Sequence, residues 1–519
     1  GRRMPESDSH ELAQFGYKQE LHRTLGSFSS FAAGYSYISI LTGMFQTSYL
    51  GFAFAGPAFI WAWLFVMFGQ FMVALQFAEL SAHYPLAGSV YQWSRNLAGR
   101  SWSWNTGWMY LCAQIITVPA VALAWQVILP SISTHFQLVG SATAGADYYS
   151  KAFAENAVIL ALIMVGLTTI INVAGVGVMA RINNVGVIAE LCGASVLIVA
   201  FLFHANRSPV KVLTNTAGTG AGHAWGYFGA LLIGAIMPLY VMYGFDSAGS
   251  LAEETDDPRR KAPKAILQAL ATAGTMGFLL ILFGTMAVSN KGYAGITSIG
   301  GLAGITKDVF GSTIGKILLA DVALAIFVCC LAIHAMSVRI LFSMGRDNNL
   351  PGGSRLARVS GVRKVPVFPA VLVGAISMLI LAFNIYNPYA FEMIIALGIV
   401  WMYLAYLGVT IPLLQRRMNG WPNDLPSSKL GLFSLGRFAV ITNVLAVVYG
   451  ISMSINLLWP RVAFYGAKNY QHWGPIGSTV VVVVAGLALY YGYQQHREGV
   501  LPEHQADRLP EPTPVHGGP

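Results

Sequence analysis

Two isolated acids carry the chemistry of this chain. Asp246 is the only charged residue between Tyr227 and Leu251, in the run Tyr243-Gly244-Phe245-Asp246-Ser247-Ala248-Gly249. A lone carboxylate in so apolar a stretch costs on the order of 2.5–3.5 kcal/mol to insert into a bilayer. It is therefore expected to hold an ammonium group, to cap a half-helix, or to organise an unwound backbone. Glycines at 244 and 249 and Pro238 upstream weaken a helix there. Glu190 is the only charged residue between Arg181 and His204. A buried lone carboxyl is suited to taking up and releasing a proton, so Glu190 is read as the coupling group; a hydrogen-bonded structural acid and a direct partner for a cationic substrate are the alternatives. The third feature is polar but uncharged: Ser36, Ser39, Thr42, Gly43, Gln46, Thr47 and Ser48 crowd an otherwise apolar stretch. If the helix opens near 39–43, its free N–H groups and half-helix dipole favour an anionic group such as a carboxylate. Tight helix packing through small residues is the competing reading.

The elements that position these residues are apolar helices. Only 10% of the 519 residues are charged and 55% are hydrophobic, against about 25% charged in an ordinary soluble domain. Twelve stretches are long enough to span a bilayer: 28–54, 57–80, 104–130, 155–174, 182–204, 227–252, 265–288, 313–343, 367–385, 389–414, 437–459 and 475–495. The net charge of +9 follows the positive-inside rule better than nucleic-acid binding: with the N-terminus inside, most of the 31 Lys and Arg fall on inner loops. Both termini are thus expected in the cytoplasm and the protein in the plasma (inner) membrane. The first and sixth spans are interrupted at matching places, Ser39-Ile40-Leu41-Thr42-Gly43 and Gly244-Phe245-Asp246-Ser247. Matching breaks five spans apart predict inverted repeats of five helices. The expected fold is an all-α integral membrane protein with twelve transmembrane helices, a 5+5 inverted-repeat core and discontinuous helices 1 and 6. Residues 1–27 form an N-terminal segment, 28–496 the membrane domain, with repeats at 28–204 and 227–414 and two extra helices at 437–495. The Pro-rich stretch 497–519 reads as a disordered tail. The residues before Met4 read as an expression remnant, and no cleavable signal peptide is visible.

Downstream of Asp246 the acids Glu253, Glu254, Asp256 and Asp257 precede Arg259, Arg260, Lys261 and Lys264, a pattern expected to latch an inner gate through ion pairs. The longest inner loop, 344–366, carries Arg346, Arg355, Arg358, Arg363 and Lys364. Cys112, Cys192, Cys329 and Cys330 lie in apolar spans and read as small buried hydrophobes. His334 reads as a packing residue, and Asp321 shares no metal-ligand spacing with it. Gln114 and Glu392 are placed along the pathway or at interfaces. Phe245, Tyr240, Tyr243, Trp125 and Trp401 are conceivable members of an aromatic cage for a quaternary ammonium. No nucleotide loop, metal cluster or nucleophile motif is present, which argues against an enzyme and against a cofactor.

The segment Gly244–Ile266 resembles the sixth-helix signature of the amino acid–polyamine–organocation (APC) superfamily. Ala78-Glu79-Leu80-Ser81 through Gln92-Trp93 is similar to that family's helix-two exit, and Ser337-Val338-Arg339 through Leu350-Pro351 to its helix-eight exit. The likeness is strongest to the branch containing GABA and choline permeases. It implies a substrate site in which Ser39, Ile40, Leu41, Thr42 and Gly43 hold a carboxylate and Tyr243, Gly244, Phe245 and Asp246 hold an amine. It also implies a small-molecule amine or amino acid as partner, moved by alternating access. Arg181–Glu190 resembles the start of helix five, where proton-coupled relatives carry a lysine and this chain carries Glu190. The helix-one turn has fewer glycines than relatives, which favours ω-amino acids or choline-like amines over standard α-amino acids. Protons are the expected coupling ion. Sodium stays open, because carbonyls and hydroxyls suffice for a sodium site. Import of a GABA-like or neutral amino acid is the leading expectation; transport of choline, another organic cation or a polyamine, or amino acid exchange, is the alternative. A receptor that binds without accumulating its ligand is a rival from another class, and oligomeric state is not legible.

Overall fold

A computed structural model describes residues 12–18, 25–140, 150–361, 365–385, 389–497 and 499–505. Among them the chain is helical throughout. The main elements are α1 (Ser27–Ile38), α2 (Ile40–Ala55), α3 (Ile60–His83), α4 (Ser89–Leu97), α5 (Arg100–Ala122), α6 (Trp125–Ile132), α7 (Lys151–Ala174), α8 (Val176–Phe203), α9 (Tyr227–Gly234), α10 (Ile236–Val241), α11 (Ser247–Ser250), α12 (Pro258–Ala287), α13 (Gly301–Arg346), α14 (Val367–Phe383), α15 (Ala390–Met418), α16 (Ala439–Leu458) and α17 (Gly474–Gly492). Local chemistry sets several boundaries. Ser150 caps α7 by accepting from Phe153 N–H at 3.1 Å, and Gly175, at φ 139°, ends it. Pro258 opens α12 in the first turn, where its missing N–H costs nothing. α13 is bent at Gly311, whose φ of 71° no helix accommodates.

Among the described residues ten helices are long and apolar enough to cross a membrane. Two shorter apolar helices, Tyr227–Val241 and Val367–Phe383, occupy the stretches read as the sixth and ninth spans. The sixth is short because it stops at the predicted break. Large apolar side chains remain exposed on the outside of the bundle, Phe203 at 83% and Phe383 at 86%. Such a surface suits lipid rather than water. The centre is formed by α1, α2, α10 and α13, with α5 against α15 and α3 against α12 around them.

Some expectations need correcting. Cys192 is exposed on the bundle surface rather than buried, because α8 turns that face outward. Residues 499–505 are packed rather than disordered. Leu501 N–H donates to Arg346 O at 2.9 Å, Lys18 N–H donates to His504 O at 3.0 Å, and Tyr17 and Gln505 form an antiparallel bridge. The two chain ends thus clasp each other at one end of the bundle, called here the terminal side. The remainder of the expected tail, most of the N-terminal segment, Arg363 and Lys364 lie outside the described residues.

Candidate functional site

Both predicted breaks exist, and they touch. The first is narrower than expected. Only Ser39 leaves the helix (φ 37°, ψ 90°), and α2 resumes at Ile40. The stretch Ser39–Gly43 is therefore not an open row of amides. Ser39 N–H donates to Tyr35 O at 2.7 Å, Thr42 N–H to Ser39 Oγ at 3.3 Å and Gly43 N–H to Ser39 O at 3.0 Å. Leu41 N–H donates to Glu190 Oε1 at 3.2 Å, and Ser39 Oγ–H donates to the same oxygen at 2.9 Å. Ile40 N–H alone of the five finds no acceptor among the described residues. Ile and Leu tolerate left-handed backbone poorly, which explains why one serine carries the whole break.

Glu190 thus occupies the N-terminus of α2, where the half-helix dipole and free donors favour an anion. Its other oxygen, Oε2, is buried without a hydrogen-bond partner among the described residues. No cation forms an ion pair with it among the described residues. The protein's own carboxylate stands where the resemblance places a substrate carboxylate.

The second break runs from Met242 to Asp246, with Gly244 at φ 93°. A Cβ on Gly244 would enter the ring of Tyr37. Asp246 is fully buried but does not cap α11. It accepts instead from Tyr110 Oη at 2.5 Å and Ser89 Oγ at 2.9 Å on Oδ2, and from Tyr406 Oη at 2.5 Å on Oδ1. Tyr406 Oη in turn accepts from Gly244 N–H at 2.9 Å. Asp246 is therefore satisfied by three hydroxyls from α4, α5 and α15, and it holds the unwound segment through Tyr406. The carbonyls of Val241, Met242, Tyr243 and Phe245 accept no hydrogen bond from the described residues. Buried carbonyls normally find a donor, so this end of the break is rich in free acceptors.

The rings of Tyr37 and Tyr243 meet edge to face at 6.1 Å, as do those of Tyr240 and Tyr243. Gly43 faces Val241 so closely that an added Cβ would lie 2.8 Å from its Cγ2. The five suggested cage aromatics do not assemble. Phe245 packs with Phe77 and Tyr406, Trp125 bonds Ala323 O, and Trp401 bonds Thr479. Tyr37, with its hydroxyl on Gln114 Oε1 at 2.8 Å, takes their place beside Tyr240 and Tyr243. Ser89, Tyr110, Tyr406 and Tyr37 were invisible as site residues, since serines and tyrosines recur along the chain. His334 packs as expected, between Thr168 Oγ1 (3.1 Å) and Ala370 O (2.9 Å). Glu392 accepts from Tyr49 Oη at 3.0 Å.

On the terminal side Glu253 and Glu254 of the acidic connector meet arginines of α13. Glu253 pairs in fork geometry with Arg346, both N–O distances 2.9 Å, and also accepts from Ala87 N–H at 3.0 Å. Glu254 pairs the same way with Arg339 at 2.9 Å. Of the downstream bases, Lys261 reaches Asp256 at 2.5 Å. Asp347 collects Tyr17 (2.8 Å), Tyr91 (2.9 Å), Gln92 (3.0 Å) and Arg95 (2.5 Å). Burial and then the Asp347 charge hold the Tyr17 phenol well above its usual pKa, so it stays a donor. The Arg346 guanidinium lies 4.0 Å over the Tyr17 ring. The helix-two exit, the connector, the helix-eight exit and the N-terminal segment are therefore one ion-paired assembly.

A membrane bundle with two touching helix breaks, opposed donor and acceptor ends and a separate charged closure is the architecture of a transporter rather than an enzyme. Comparison with known proteins gives the family. The amino acid permease family model matches residues 25–485, and the chain belongs to that family, within the APC superfamily. It is similar to amino-acid permease BAT1 of Arabidopsis thaliana, 27% identical over 93% of this chain and 94% of that protein. A BAT1 homolog of Oryza sativa is 27% identical over 92% and 93% of the two chains. An uncharacterized amino-acid permease of Schizosaccharomyces pombe is 26% identical over 92% and 88%. The chain is a multi-pass membrane protein and an amino acid transporter.

Proposed function

We propose that this permease imports a small amino acid or related amine, GABA-like or neutral, with a proton, by alternating access over a twelve-helix, five-plus-five inverted-repeat core. The observation that carries the reading is the Glu190 carboxylate seated on the N-terminus of α2, with no ion pair to a cation among the described residues. A substrate carboxylate seeks the same donors. Two anions cannot share one half-helix end in low dielectric without severe repulsion. Protonation of Glu190 removes that competition and frees Ser39 Oγ–H and Leu41 N–H for the substrate, beside the Ile40 N–H that has no acceptor among the described residues. Its ammonium then faces the free carbonyls of Val241–Tyr243 and Phe245. Asp246 organises that segment through Tyr406 rather than touching the amine. Proton and carboxylate thereby enter together. The Glu253–Arg346 and Glu254–Arg339 pairs close the inner side and break when it opens, in the orientation that places both termini in the cytoplasm.

The Tyr37, Tyr240 and Tyr243 rings support a second reading, a choline-like cation held by aromatic faces near the ionised Glu190. Uptake into sodium-free proteoliposomes with an inward proton gradient separates the two. Labelled GABA or alanine should accumulate, and the accumulation should vanish with a protonophore and in Glu190→Gln. Uptake of choline in place of both, insensitive to the protonophore, would replace the first reading with the second.

A further inference from the structure

A second acid, Asp321, lies beside Glu190, and the substrate reading has no use for it. α8 and α13 cross in close contact at two glycines one heptad apart. A Cβ on Gly186 would lie 2.8 Å from Val328 Cγ1, and one on Gly193 would collide with the Asp321 carboxyl group, 2.7 Å from its Cγ. Val328 and Asp321 are themselves seven residues apart on α13, so both helices present the same two-turn stripe. Glu190 lies between the two glycines on the stripe Asn183–Gly186–Glu190–Gly193. Asp321 therefore sits about one turn, roughly 4.5 Å along α8, from Glu190, on the side away from the chain termini. Only a glycine at 193 leaves room for its carboxyl group against α8.

Asp321 makes no ion pair among the described residues, and its Oδ2 is buried without a hydrogen-bond partner. So are Glu190 Oε2 and Tyr35 Oη. Asp321 and Tyr35 are titratable neighbours of Glu190. Cys329 of α13 is a further titratable neighbour, and no cation forms an ion pair with Glu190 or Asp321 among the described residues. α12, packed on another face of α8, carries no titratable side chain beyond Lys264. Asp321 is half-buried on a helix face it shares with exposed Ile317 and Leu324, a surface that suits lipid rather than water. A bilayer-embedded acid is costly, and one that is kept there marks a proton or ion path by default.

We propose that Asp321 is the outer member of a proton-handling carboxylate pair and loads Glu190 from the side away from the termini. This inference rests on the proton coupling proposed for Glu190. In the step, neutral Asp321 gives its carboxyl proton to the Glu190 carboxylate. Asp321 becomes the anion, Glu190 becomes the neutral acid, and the outer medium returns a proton to Asp321. Charge is conserved within the pair, so the step avoids two adjacent anions.

The test uses the full-length protein in proteoliposomes loaded with a pH-sensitive dye, and the variants Asp321→Asn and Asp321→Leu. Both replace a lipid-flanked acid with a neutral side chain, which eases insertion and favours folding. GABA and alanine are the probes. Substrate counterflow, which needs no net proton movement, should persist. Substrate-evoked acidification and gradient-driven accumulation should fall at least about tenfold, and the pH midpoint of uptake should move to more acidic values. Accumulation and acidification unchanged in both variants, with Glu190→Gln uncoupled, would overturn the role of Asp321 and leave the coupling reading standing. Loss of counterflow with accumulation would also overturn it, in favour of a packing role. If the unmodified protein shows neither acidification nor gradient-driven uptake, the coupling reading itself fails and the pair falls with it.

Discussion

Glu253→Gln should open the terminal side of the transporter. In the closed arrangement Arg346 is fully buried and gives two hydrogen bonds of 2.9 Å to Glu253. Glutamine keeps the shape and accepts one of them, so the change isolates the charge. Breaking a buried pair by removing one partner costs about 3–5 kcal/mol, because the remaining ion is left without compensation. The lower end applies here, since Gln still accepts one N–H and the Tyr17 ring lies 4.0 Å from the guanidinium. When the assembly opens, water solvates Arg346 and the penalty disappears. About 3 kcal/mol is therefore lost from the closed state alone, a roughly hundredfold shift toward open. Cys329 is a native reporter, because it is buried with Sγ 3.4 Å from Tyr37 O at the first helix break. With Cys112, Cys192 and Cys330 replaced by alanine, a bilayer-impermeant maleimide applied from the terminal side should label Cys329 about a hundred times faster in Glu253→Gln. The double variant Glu253→Leu/Arg346→Met removes both charges and should label nearly as slowly as the parent, since a well-packed apolar pair is close to neutral. Parent-like labelling of a correctly folded Glu253→Gln, or fast labelling of the double variant, would show that the Glu253–Arg346 pair does not hold the terminal side shut.

Two further outcomes follow from the second break. Tyr110→Phe and Tyr406→Phe each remove a hydrogen bond to a buried carboxylate, worth about 1.5–3 kcal/mol; thermal melting in detergent should show the larger loss for Tyr406→Phe, which also strands Gly244 N–H, and equal melting of the two would contradict the relay. Gly244→Ala should abolish uptake, because an alanine at φ 93° is strained and its methyl enters the Tyr37 ring; adding Tyr37→Ala should restore part of the binding measured by isothermal titration, whereas normal uptake by Gly244→Ala alone would show that the break tolerates a side chain.

That the protein is built from membrane helices, where two of them break, and which acids stand alone among apolar neighbours were all legible along the chain. These are local properties: composition over about twenty residues sets whether a helix can span a bilayer, and a serine-rich or glycine-flanked stretch weakens the helix it sits in. Tertiary structure alone decided what the acids meet. Asp246 is held by hydroxyls 157, 136 and 160 positions away, and Glu190 reaches Ser39 across 151. Glu253 and Glu254 pair with arginines 93 and 85 positions downstream. Asp321, unremarkable in the sequence, gained its meaning from Gly193 on a different helix. Such pairings depend on how each helix is rotated and where it crosses its neighbours. That is set by the fit of whole faces, a glycine here and a tyrosine there, and no local pattern records it.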